Sequence, residues 1–187
     1  MKFNSTIFIL LIVLIISCYS IDYDVCDSDS KYRIVDFNGL KGFTDIDDGI
    51  KCSKEMRLPI LLLFTGHACV ADNSYEERLF LNRRNRKIIG ENFIPVILYV
   101  DDKTDLLEED RKNIRFKGKK RYLSNLGHKN SNYEMQEFNS NTQPLLTILD
   151  HNGKPIIHHI SYKRRALDYQ EFIERGLERY RLIAKEK

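Results

Sequence analysis

Apolar positions along this chain fall into three kinds of run, and each predicts a different element. Residues 59–64 (Pro-Ile-Leu-Leu-Leu-Phe) and 93–100 are continuous apolar stretches of strand length, the pattern of strands buried on both faces. Tyr32-Arg33-Ile34-Val35 alternates and is β-branched, which predicts a short first strand. Residues 145–149 and 154–160 flank Asp150-His151-Asn152-Gly153 and read as a β-hairpin. Helical spacing appears in two places. Ile46, Gly49, Ile50 and Ser53 share a face of a helix capped by Thr44 or Asp45 and running to about Met56. Tyr169, Phe172, Ile173, Gly176, Leu177 and Tyr180 mark an amphipathic C-terminal helix.

Between the two apolar strands a helix is expected from Cys69 onward. It breaks near Leu81-Asn82, where Asn82 caps a second segment that runs to Ile89 and ends at Gly90. Strand, helix and strand make a right-handed unit with a parallel pair. Residues 101–127 are charged and without a clear period, so they read as a surface insertion, and 130–138 as a short helix. The resulting order is β-α-β-α-β-α-β-β-α, an α/β fold with a central mixed sheet and helices on both faces.

The first residues stand apart from this pattern. Lys2 is followed by an unbroken apolar run over 7–16, too short to span a bilayer and of the length of a signal-peptide core. The run ends in Ile15-Ile16-Ser17-Cys18, which resembles a bacterial lipobox, with 1–17 removed and Cys18 acylated. The alternative is ordinary cleavage after Ser20, giving a soluble secreted or periplasmic protein. Either way the mature chain is expected to be exported, and as a lipoprotein to sit on the periplasmic face of a bacterial membrane. Residues 18–40 then read as a tether with a possible first strand, and 41–187 as the folded domain.

Composition narrows the function classes. The 187 residues carry 30 Lys and Arg against 27 Asp and Glu, a net charge of +3, which argues against a nucleic-acid binder. The basic runs at 83–87 and 117–121 read as solvated faces. Of four cysteines, three stay in the mature chain if Cys18 is lipidated or removed, so one is free or pairs between molecules. The expectation is a free Cys69, with Cys26 and Cys52 available to pair in an oxidising compartment. Cys52 reads equally as a small half-buried residue.

Cys69 is the residue around which chemistry can be argued. It follows Phe64-Thr65-Gly66-His67-Ala68 and sits where a helix begins, and helix N–H groups and the dipole favour a thiolate there. Asp72 stands where a resolving cysteine would be. Its carboxylate can cap the first helical turn but would repel a thiolate and raise its pKa. A lone thiol can form a mixed disulfide that another thiol must resolve. Cys26 or Cys52 is a candidate for that second thiol. His67 reads as an ordinary loop residue that would assist only if protonated. His67, Cys69 and Asp72, with His158 and His159 elsewhere, match no common zinc spacing, so no metal and no cofactor are expected.

Several segments in consistent order carry a family resemblance. They are Phe64-Thr65-Gly66-His67-Ala68-Cys69-Val70, Glu76-Glu77, Leu98-Tyr99-Val100-Asp101-Asp102-Lys103-Thr104, Gly118-Lys119-Lys120, Asn141-Thr142-Gln143-Pro144 and Gly176-Leu177-Glu178-Arg179-Tyr180. Over residues 43–180 the chain resembles the C-terminal thioredoxin-like domain of DsbD-type thiol:disulfide interchange proteins. The resemblance implies a thioredoxin-like fold with an insertion and thiol–disulfide exchange with exported protein thiols or disulfides, supplied by an unidentified reductant. It matches Cys69 to the nucleophile, and Gln143 and Pro144 to a cis-proline loop that pairs with an extended substrate segment. The chain departs from the family pattern at Ala71-Asp72, where the family has Asn-Cys, and at Arg121, where an aromatic is usual. A redox-inactive binding module is the alternative that Asp72 suggests.

Overall fold

The computed structural model describes residues 26, 30–32, 34–37, 39–68, 75, 77–116, 118–163 and 165–185. The expected leader, the lipidation candidate Cys18, most of the 18–40 tether, Cys69, Asp72 and the helix start between them lie outside the described residues. In chain order the elements are β1 (Ile34–Phe37), β2 (Leu40–Phe43), α1 (Ile46–Met56), β3 (Ile60–Thr65), a π-helical turn (Glu77–Leu81), α2 (Arg83–Asn92) and β4 (Ile94–Tyr99). A short 3-10 turn (Glu108–Asp110) is followed by β5 (Lys112–Phe116), β6 (Lys119–Leu123), α3 (Leu126–Phe138), β7 (Leu145–Leu149) and α4 (Ala166–Lys185).

The main sheet has the order β1-β2-β4-β3-β7. β3 runs parallel to β4 and antiparallel to β7, while β1 and β2 form a hairpin joined to β4 in parallel. Every residue of β3, β4 and β7 is buried. Alternate side chains enter two cores, which explains the unbroken apolar runs. Leu61, Leu63, Ile97, Leu146 and Ile148 meet Ile89 of α2 and Tyr169, Phe172 and Ile173 of α4 on one face. Ile60, Leu62, Phe64, Val96 and Leu98 meet Ile46 and Cys52 of α1, with Tyr133 and Phe138 of α3, on the other. A Cβ at Gly49 would overlap Val96, and one at Gly176 would overlap Ile148, so small residues let α1 and α4 press onto opposite faces of the sheet.

Asp45 caps α1 by accepting from the Asp47 and Asp48 N–H groups, and Asn82 caps α2 through the Arg84 and Asn85 N–H groups. Four expectations about element limits change. The sheet begins with the β1–β2 hairpin, which turns at Gly39 with φ 86° and crosses residue 41. α2 continues past Gly90 to Asn92, because Gly90 keeps its helical conformation in the last turn, against Leu40, and forms no left-handed cap. α3 starts at Leu126, with Asn125 as its cap, and Gly127 lies in its first turn where the helix meets the Val100 and Asp102 backbone. The 154–160 return is not a continuous strand. Leu149 pairs with Pro155 and Leu146 with Ile160, so the four residues 156–159 face the two residues 147–148 and the segment bulges.

The 101–127 insertion is ordered as well. Its β5–β6 hairpin forms a separate two-stranded sheet, an arrangement only marginally stable by itself. A satellite core of Tyr32, Leu106, Leu123 and Leu126, with Ile114 against it, holds the insertion to the body. Tyr32 also donates its hydroxyl to Asp110 at 2.8 Å. Among the described residues no helix is long and apolar enough to cross a membrane.

Candidate functional site

β3 delivers the chain toward Cys69. Its last residue, Thr65, pairs with Tyr99 of β4, and the parallel ladder extends one step further as the Val100 N–H donates to the Thr65 carbonyl at 2.9 Å. The segment then turns outward through Gly66, His67 and Ala68. Asp101, just past β4, fixes this turn. One carboxylate oxygen accepts the His67 N–H at 2.9 Å and the other the Ala68 N–H at 3.0 Å. Partial burial of Asp101 favours its neutral form, but these two N–H donors and the nearby His67 outweigh it and hold the carboxyl below its usual range. The His67 ring is exposed and stacks on Tyr99 with centroids 3.9 Å apart and planes 6° from parallel.

The Gln143–Pro144 peptide is cis. Register places it beside this turn. Leu145 pairs with Phe64 in the antiparallel ladder, so Pro144 stands at the level of Thr65. Gln143 is held from below by α3, where its side-chain amide donates to a Glu134 carboxylate oxygen at 2.6 Å. Glu134 has no exposed surface. Burial pushes its carboxyl up to about 7, against the opposing hydrogen bond from Gln143. A second anchor from α3 is Asn130, whose amide donates to the Tyr99 carbonyl at 3.0 Å.

Of the sequence-predicted site residues, the structure brings Gln143, Pro144 and His67 to one end of the sheet. Cys69 and Asp72, which complete that reading, lie outside the described residues, as does Cys18. Cys26 and Cys52 are joined in a disulfide within the α1-side core, and both are buried. Neither offers a thiol in this state, so a resolving role for either would first require reduction. His158 and His159 are exposed on the bulged return segment, and His159 meets the Phe138 ring edge-on. Among the described residues no group of three His, Cys, Asp or Glu side chains is placed to hold a metal ion.

Sequence reading gave no role to Asp101 or Glu134. Asp101 was visible inside the Tyr99-Val100-Asp101-Asp102 segment, but its two acceptors become useful only once β3 and β4 are in register. Glu134 falls on the buried side of α3 among polar neighbours, so no apolar period pointed to it.

No protein-family model matches the chain, and no curated protein does. Solved structures do. A DsbH oxidoreductase aligns with 80% of this chain and 95% of its own length at 16% identity, with a TM-score of 0.54. A disulphide isomerase from Xylella fastidiosa Temecula1 aligns over 75% of this chain and 86% of its own, at 15% identity and TM-score 0.43. A thioredoxin-fold protein from Helicobacter pylori aligns over 67% and 83%, at 16% identity and TM-score 0.39. The mixed sheet with helices on both faces and the first of these alignments agree on the architecture: the chain has a thioredoxin-like fold.

Proposed function

We propose that this is an exported thioredoxin-like protein that forms mixed disulfides through Cys69 with exported protein partners. In the exchange step the Cys69 thiolate attacks one sulfur of a partner disulfide. A bond forms between the two, the partner's S–S bond breaks, and the departing sulfur leaves as a thiolate that takes a proton from solvent. With Asp72 in place of a second cysteine, release requires an external thiol reductant. That thiol attacks the mixed disulfide and returns Cys69 to its reduced form.

The observation that carries the reading is the convergence just ahead of Cys69. Asp101 fixes the His67–Ala68 turn, and the β3–β7 register sets the cis Gln143–Pro144 peptide beside it. The resemblance to DsbD-type C-terminal domains and the lipobox-like Ser17-Cys18 junction support export, with Cys18 as the lipid anchor. The test is capture of partners from the exported fraction. Wild type should retain disulfide-linked proteins that Cys69→Ser does not, and equal recovery from both would end the proposal. Cys69 alkylation compared in wild type and Asp72→Asn reads the effect of the carboxylate, with faster reaction expected in the variant.

A second reading is favoured by Asp72 itself: a binding module of the same fold without redox chemistry. It expects Cys69→Ala to bind its partner normally, and loss of binding in that variant would count against it.

A further inference from the structure

We propose that the groove between the β5–β6 hairpin and α3 docks an acidic, extended segment of the partner polypeptide. The identity of that partner, as the protein that meets Cys69, rests on the exchange reading above. The groove encloses about 380 Å³ and is lined by Val100, Arg121, Leu123, His128 and Asn132, among others. Val100 precedes Asp101, so the groove opens beside the turn that leads to Cys69.

Charge selects the occupant. From Lys112 to Leu123 the hairpin sequence contains Lys112, Arg115, Lys117, Lys119, Lys120 and Arg121 and no acidic residue. The described five are exposed, and none is ion-paired among the described residues. Of the acidic side chains at the hairpin's base, Asp105 is paired with Arg111, and Glu109 and Asp110 with Lys31. Arg121 lies over the Phe116 ring at 5.2 Å and reaches within 4.0 Å of the Met135 sulfur, so a guanidinium with no carboxylate spans the groove. Guanidinium and ammonium groups in this setting are matched by carboxylates.

The hairpin itself selects an extended backbone. Among the described residues the two-stranded β5–β6 sheet leaves β6 an open edge, which can accept an added strand. The basic run that reads from sequence as a solvated face therefore borders a groove with a strand edge along it.

The test uses two cysteine-free fluorescein-labelled peptides, one alternating Glu with Val and one alternating Lys with Val. Each is titrated into the mature protein and followed by anisotropy. The Glu peptide should bind at least about tenfold more tightly and lose affinity as salt rises. The Lys120→Glu/Arg121→Glu double variant, altered only at exposed positions, should abolish the preference. Equal binding of both peptides, or unchanged binding by the double variant, overturns the proposal. So does failure to bind the Glu peptide while phosphatidylglycerol vesicles retain wild type and release the double variant, which would make the hairpin a membrane contact. Because the peptides lack cysteine, binding is read independently of exchange. Glu-peptide binding without partner capture through Cys69 overturns the exchange reading alone, and capture without binding overturns the docking proposal alone.

Discussion

Glu134 carries a carboxyl with no exposed surface directly under the Gln143–Pro144 loop, and its pH behaviour follows from that placement. Burial lifts its pKa from the ordinary 4.5 to about 7, so between those values the folded protein holds a proton that the unfolded chain has released. Stability contributed by the neutral carboxyl is complete below the unfolded value and is lost as pH rises through the folded one. In Glu134→Gln the group no longer titrates, and the stability difference between about pH 5 and about pH 8 should shrink by about 2 kcal/mol in urea denaturation curves. A variant with the wild-type pH dependence would contradict this. Asp101 acts through two N–H groups at once. Asp101→Ala should speed hydrogen exchange of the His67 and Ala68 amides about tenfold, while Asp101→Asn, which keeps one acceptor, should do less. Unaltered exchange in Asp101→Ala would mean the clamp does not hold the turn in solution. Both residues show why the site was only partly legible. Cys69, Gln143 and Pro144 stand out by type and neighbours along the chain. Asp101 and Glu134 act on residues 33 to 34 and nine positions away, a relation that exists only in the folded register.

At the scale of elements, two helical glycines that look alike in sequence should respond in opposite ways to alanine. A Cβ at Gly127 would lie 2.7 Å from the Asp102 carbonyl oxygen and 2.8 Å from both the Asp102 nitrogen and the Val100 oxygen, all backbone atoms that cannot swing aside. Gly127→Ala should therefore destabilise by about 1–3 kcal/mol by forcing α3 away from the end of β4. A Cβ at Gly90 meets only Leu40, at 3.6 Å, in an ordinary helical stretch. Gly90→Ala should gain about 0.5–1 kcal/mol from helix propensity. Urea midpoints of the two variants against wild type decide both signs, and a shift in the same direction for both would refute the assignment. The contrast also accounts for the misplaced element limits. A glycine in a helical pattern signals either an end or a close approach, and sequence cannot separate them. From sequence Gly90 ends a helix and Gly127 closes the charged insertion, whereas the structure has Gly90 inside the last turn of α2 and Gly127 at a backbone contact in the first turn of α3. Strands were easier to read, because β3, β4 and β7 are buried on both faces and so apolar throughout. The β5–β6 hairpin escaped notice since only Leu123 of its strands is fully buried and its charges mask the alternation.

For the molecule as a whole, the Cys26–Cys52 disulfide links the segment ahead of the sheet to α1 across 26 positions of sequence. Cys26 lies in the same core as Phe43, Ile46 and Cys52. The covalent link stabilises the fold by removing extended conformations of the unfolded chain. For a loop of this length the chain-entropy treatment gives about 3 kcal/mol. In a Cys69→Ser background, which removes competing thiol chemistry, Cys26→Ser/Cys52→Ser should lower unfolding stability by roughly that amount, and reduction of the parent by a phosphine should reproduce the same loss. The reduced parent and the double variant should then coincide in urea denaturation, since both lack the same constraint. Iodoacetamide should label neither Cys26 nor Cys52 before reduction. Labelling of the unreduced protein, or equal stability with and without the link, would show that this segment is held by something other than the disulfide.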